Sequence, residues 1–168
     1  TDKFEENSYI TIGSTEGSPI IYNTIYGGGI NDKLNSTNIE VIGNNRNSYL
    51  KIYGASNANS VIKTSNITTN GGYIAEIYGS GNTVGSVDTT NITLDRSTVQ
   101  NVYGAGNRNS AKITNIIAKS GNITNIYGGG KDLDTAIENT NISVLNGNIT
   151  NIYGAGLNNG AGRTNINV

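Results

Sequence analysis

The stretch Thr150-Asn151-Ile152-Tyr153-Gly154-Ala155-Gly156 decides the fold of this chain. Variants of it read Thr24-Ile25-Tyr26-Gly27-Gly28-Gly29, Lys51-Ile52-Tyr53-Gly54-Ala55-Ser56, Glu76-Ile77-Tyr78-Gly79-Ser80-Gly81, Asn101-Val102-Tyr103-Gly104-Ala105-Gly106 and Asn125-Ile126-Tyr127-Gly128-Gly129-Gly130. The tyrosines recur about every 25 residues. Self-similarity at such a fixed period is the signature of a repeat architecture.

Working outward, each unit holds a second motif, a Ser/Thr-Asn-Ile run. It appears as Thr37-Asn38-Ile39, Ser65-Asn66-Ile67, Thr90-Asn91-Ile92, Thr114-Asn115-Ile116, Thr140-Asn141-Ile142 and Thr164-Asn165-Ile166. Five positions before each isoleucine stands Leu34, Ile62, Val87, Ala111, Ile137 or Ala161. Two positions after it come Val41, Thr69, Leu94, Ala118, Val144 and Val168. The isoleucine and the residue two later share one face of a strand. The links between motifs are Asn, Gly and Ser, as in Gly43 to Ser48, Asn57 to Ser60 and Asn107 to Ser110. This is turn chemistry. No long segment has a helical period, and Ser110 to Ala118 belongs to the repeat.

A unit of two short strands cannot bury its faces alone, and stacking on the next unit solves that. The expected fold is all-β: a single-stranded right-handed parallel β-solenoid (β-helix) of about six coils, roughly 25 residues each, with two strands of four to six residues per coil. The hand follows from crossover geometry. At the parallel strand spacing, six coils make a rod of roughly 30 Å. A propeller blade needs about 40 residues and four strands. A calcium-binding β-roll needs repeated aspartates, and Asp32, Asp132 and Asp134 are too scattered. Residues 20–168 form the repetitive domain. Residues 1–19 are a lead-in, with a strand at Tyr9 to Ile12 and a turn at Glu16-Gly17-Ser18-Pro19.

Composition narrows the chemistry. The chain has 168 residues, 23 glycines, one proline, and no Cys, His, Met or Trp. Disulfides, a thiolate nucleophile, a histidine base and a Cys/His zinc site are excluded. A net charge of -1 without charge blocks lacks the footprint of a nucleic-acid binder. No apolar run approaches the roughly 20 residues of a membrane helix. Nucleic acid, membrane insertion, a cofactor and a metal are therefore not expected. Thr1 opens the chain without Met, which suggests processing or a fragment.

The repeated motifs supply two candidate surfaces. With each isoleucine inward, strict alternation turns Tyr26, Tyr53, Tyr78, Tyr103, Tyr127 and Tyr153 outward as an aromatic ligand-contact stripe. The competing expectation is that the rings stack for stability and fold over the neighbouring glycines. Four residues before each tyrosine stand Tyr22, Tyr49, Ile74, Val99, Ile123 and Ile149. If these and the isoleucines both face the core, a bend or bulge lies between them; without one, the tyrosines are buried. The second ladder is Asn38, Asn66, Asn91, Asn115, Asn141 and Asn165, whose amides suit bonding along the stack. The threonines before them face inward by parity, which argues against an ice-binding array. The glycine after each tyrosine either needs positive φ or lets backbone approach closely.

Catalytic signals are thin. Asp88 with Asp95 and Asp132 with Asp134 are the carboxylate pairs, but the acids read as single loop residues on no common column. Gly104 to Asn109 lacks the Gly-Lys-Ser/Thr ending of a P-loop. Sequons such as Asn66-Ile67-Thr68 arise readily by chance in so Asn-rich a chain.

The motifs resemble the Gly/Asn-rich parallel β-solenoid repeats of large bacterial surface and secreted proteins, adhesins among them. The resemblance runs from Ile20 to Val168. It implies a non-enzymatic extracellular or cell-surface segment, structural or adhesive, whose repeated ladders bind a host protein or glycan, or copies of the chain end to end. The alternatives are a polysaccharide-acting β-helix enzyme domain and a self-assembling fibre module. The latter follows from strand edges left open at Val168.

Overall fold

The computed structural model describes residues 6–13, 23–43, 49–132 and 137–168. Among them the strands are β1 (Glu6–Ile12), β2 (Thr24–Tyr26), β3 (Lys33–Val41), β4 (Lys51–Tyr53), β5 (Ser60–Asn70), β6 (Tyr73–Tyr78), β7 (Gly85–Asp95), β8 (Ser97–Tyr103), β9 (Ser110–Ala118), β10 (Gly121–Tyr127), β11 (Ile137–Val144), β12 (Asn148–Tyr153) and β13 (Ala161–Asn167). The turn expected at Glu16 to Pro19, Tyr22, Asp134 and the link at 44–48 lie outside the described residues.

The chain is a parallel β-solenoid. Odd-numbered strands form one sheet in the order β1-β3-β5-β7-β9-β11-β13, and even-numbered strands form the other, β12-β10-β8-β6-β4-β2. The register is that of the repeat: Ile67 lies beside Ile39 and Ile92, and Tyr103 beside Tyr78 and Tyr127. The lead-in strand β1 pairs with β3 and so belongs to the first sheet. Odd strands run to 11 residues, longer than expected, and β2 and β4 have only 3. The odd strands are longer because both the Ser/Thr-Asn-Ile run and the apolar position five before the isoleucine lie in one strand.

Ile39, Ile67, Ile92, Ile116 and Ile142 meet Ile52, Ile77, Val102 and Ile126 in one core between the sheets. Burying each such side chain contributes about 1.5–3 kcal/mol. A narrower core lies under the turn after each tyrosine, where Ala55 packs with Leu34, Ile62 and Val87, and Ala105 with Ala111 and Ile137.

The bend that the sequence posed as the condition for both columns to face the core is present, and the tyrosines that follow it are buried all the same. In β8 and β10, Val99 and Ile123 point inward, two residues follow outside the core, and Val102 and Ile126 point inward again. Strand pairing is interrupted there, at Gln100 and Thr124. At Tyr49 this column departs from expectation: Tyr49 is 72% exposed and Leu50, one position later, is fully buried. An aliphatic side chain fits the narrow core, and the larger ring with its hydroxyl stays in solvent.

The glycines after the tyrosines serve close approach rather than positive φ. A Cβ on Gly79 would lie 2.0 Å from the Gly104 carbonyl oxygen, and one on Gly104 would lie 2.1 Å from that of Gly128. Positive φ occurs instead at the opposite turn, as at Gly121 (φ 117°).

Candidate functional site

The repeat places side chains of one type at one rung spacing, so each column is decided by what its members do to one another. The six tyrosines form a continuous stack. Ring centroids lie 5.1, 4.4, 4.8, 4.9 and 4.8 Å apart from Tyr26 to Tyr153. The inner rings are buried, Tyr78 to 1% exposure and Tyr103 to 3%. They form a cluster of their own, apart from the core between the sheets. Strand spacing of about 4.8 Å is also a good stacking distance, so each ring hides the faces of its neighbours. The exposed contact stripe is therefore not formed by Tyr53, Tyr78, Tyr103 and Tyr127. Tyr26 is half-buried, and Tyr153 is 45% exposed.

Charge covers part of this stack. Lys131 Nζ lies 3.3 Å from the Tyr78 hydroxyl and about 6 Å from the Tyr78 and Tyr103 ring centres. It also meets Glu76 Oε1 at 3.2 Å, while Lys51 lies 2.7 Å from Glu76 Oε2 in a charge contact rather than a directed hydrogen bond. Burial raises the Glu76 pKa, but the two lysines outweigh it and hold the carboxyl below its usual range. Burial, aided by Tyr26 and Glu76, pushes the Tyr53 phenol up to about 12; burial and Glu76 do the same for Tyr103.

The asparagine ladder is complete. Asn66 donates to Asn38 Oδ1 at 3.0 Å, Asn91 to Asn66 at 2.9 Å, Asn115 to Asn91 at 2.9 Å, Asn141 to Asn115 at 2.9 Å and Asn165 to Asn141 at 2.7 Å. Every bond runs from the amide of the later coil to the oxygen of the earlier one. At its start Asn38 donates to the Ser8 carbonyl and to Ser36. The threonines before these asparagines point inward, as parity requires. Thr37, Thr90, Thr114 and Thr140 are fully buried and donate to the carbonyls of Gly54, Gly104, Gly128 and Gly154. This column therefore presents no exposed threonine array.

Sequence reasoning missed three further columns. Two residues before the tyrosine, Asn125 donates to Asn101 at 2.8 Å and Asn151 to Asn125 at 2.9 Å. In the turns, Asn82 donates to Asn57 and Asn107 to Asn82. On the first sheet, Lys63, Asp88, Lys112 and Glu138 alternate in sign along one column, with Lys112 Nζ 2.6 Å from Asp88. Aligning the units on the tyrosine or the isoleucine reveals each of these.

That last column corrects the expectation that the acids are loop residues without alignment. Asp88 and Glu138 are strand residues, held apart by Lys112. Asp88 and Asp95 do not converge: Asp88 pairs with Lys112, and Asp95 accepts from Ser120 at 2.6 Å. Among the described residues no cluster of three acidic side chains is placed to hold a metal. No protein-family profile, curated protein or solved structure matches the chain.

Proposed function

We propose that this chain is a non-enzymatic structural and adhesive segment of a bacterial surface protein, displayed outside the cell. The supporting observation is the axial cross-linking. The tyrosine stack and the asparagine ladder run through all six repeats and spend their polar and aromatic groups on neighbouring coils. Such a rod carries load along its axis and presents long flat faces, the form suited to multivalent contact. The test is a binding screen of the purified chain against immobilised extracellular-matrix proteins and a glycan array. Saturable binding to a member of either panel is expected; its complete absence overturns the adhesive reading.

A second reading, end-to-end assembly of copies, is favoured by the directionality of the asparagine ladder. Each bond of that ladder runs from a later coil to an earlier one, so a head-to-tail contact between copies continues the same pattern. Light scattering against concentration separates the two readings.

A further inference from the structure

The two outer faces of the solenoid differ in chemistry. The first sheet carries the alternating column Lys63, Asp88, Lys112 and Glu138, with exposed Glu40 and Arg163 nearby. On the second sheet, the outward positions of β8, β10 and β12 are all uncharged hydroxyls and amides. They include exposed Gln100, Asn122, Thr124, Asn148 and Thr150. The charges that this face holds in earlier coils, Lys51 and Glu76, close on each other and on Lys131.

A shallow groove with an uncharged lining runs across this face. Tyr49, Tyr73, Thr98, Gln100 and Thr124 line it. These residues belong to four successive coils, so the groove follows the solenoid axis for roughly 14 Å at the strand spacing. Its floor at Ala75 is small, because a short side chain stands where later coils carry Gln100 and Thr124. At one end Tyr49 offers a ring that is 72% exposed.

We infer that this groove binds a neutral polysaccharide chain laid along the axis. A sugar ring has an apolar C–H face that stacks on an aromatic ring and a rim of hydroxyls that exchange hydrogen bonds with amides and hydroxyls. Tyr49 and Tyr73 supply the platform, and Thr98, Gln100 and Thr124 supply the polar partners. No charged side chain stands in the groove's own lining, so it favours an uncharged glycan over a charged one. This inference rests on the adhesive reading and names its ligand class and its residues.

The experiment measures binding of the full chain to immobilised neutral glucan, mannan and xylan by biolayer interferometry, beside hyaluronan and collagen. Variants Tyr49→Ala, Gln100→Ala and, on the other sheet, Lys63→Ala are compared after circular dichroism confirms the β-signal. Binding to a neutral polysaccharide is expected, weakened about tenfold by Tyr49→Ala or Gln100→Ala and unchanged by Lys63→Ala. Neutral-glycan binding that ignores both groove variants overturns the inference. Binding to hyaluronan or collagen alone also overturns it and leaves the adhesive reading standing. Binding to none of the panel overturns the inference, and the wider matrix and glycan screen decides the adhesive reading.

Discussion

The hydroxyl of Thr90 donates to the carbonyl of Gly104 at 2.6 Å, tying the first sheet to the turn that leaves the second. The same bond recurs at Thr37, Thr114 and Thr140, but the hydroxyl of Ser65 is buried without a partner. A threonine's methyl restricts χ1, while serine rotates more freely. Ser65→Thr should restore the bond to Gly79, stabilising the chain by roughly 1 kcal/mol. A urea titration checks this; an unchanged or lower midpoint refutes it.

Asn91 donates to one neighbour and accepts from another. Asn91→Ala removes both bonds and leaves two half-buried groups unpaired, a loss of about 2 kcal/mol. Asn91→Asp should cost more, because a carboxylate would face the Asn66 oxygen with no proton to give. Asn165→Ala removes one exposed bond and should cost less than either. Ranking the three by thermal midpoint tests the ladder as a source of stability.

Gly104 and Gly160 should respond oppositely to alanine. A Cβ at Gly104 would meet the Gly128 carbonyl and sit 2.8 Å from Thr114 Oγ1, in backbone that cannot yield. Gly104→Ala should cost ~3 kcal/mol or more or prevent folding. Nothing lies within 4 Å of a Cβ at Gly160, so Gly160→Ala should stay within about 0.5 kcal/mol. Soluble yield and melting temperature distinguish them.

The tyrosine stack predicts alkaline sensitivity. The Tyr53 and Tyr103 phenols are pushed up to about 12, first by burial, and Tyr78 is raised further by burial and Glu76. An unfolded phenol titrates near about 10. Stability from the buried rings is therefore full below about 10 and falls as pH rises from there through 12, because the unfolded chain releases its protons first. Phenolate absorbance should rise in two phases, the later one coinciding with loss of the β-signal in circular dichroism. A single phase with the signal intact contradicts the burial.

Much of this architecture is legible along the chain. Period, strand pairs, inward isoleucines, inward threonines and the amide ladder follow from spacing and parity, because in-register stacking repeats each position. The column before the tyrosine was harder to read. Tyr49 occupies the aligned position, but Leu50 enters the core, a one-residue shift that a pattern of apolar letters does not resolve. The Lys131 contact escaped as well, since it joins residues 55 apart in sequence.

The sequence alone determined the repeat, the parallel register and the identity of each ladder, because these depend only on period and side-chain type. The tertiary structure decided which ladders meet solvent. Tyrosine is compatible with either side of that boundary. Here the rung spacing lets the rings stack and hide one another, and the in-register pairing of the second sheet sets which rings meet. The bend before each isoleucine places the outer columns of the second sheet, where an uncharged groove begins at Tyr49.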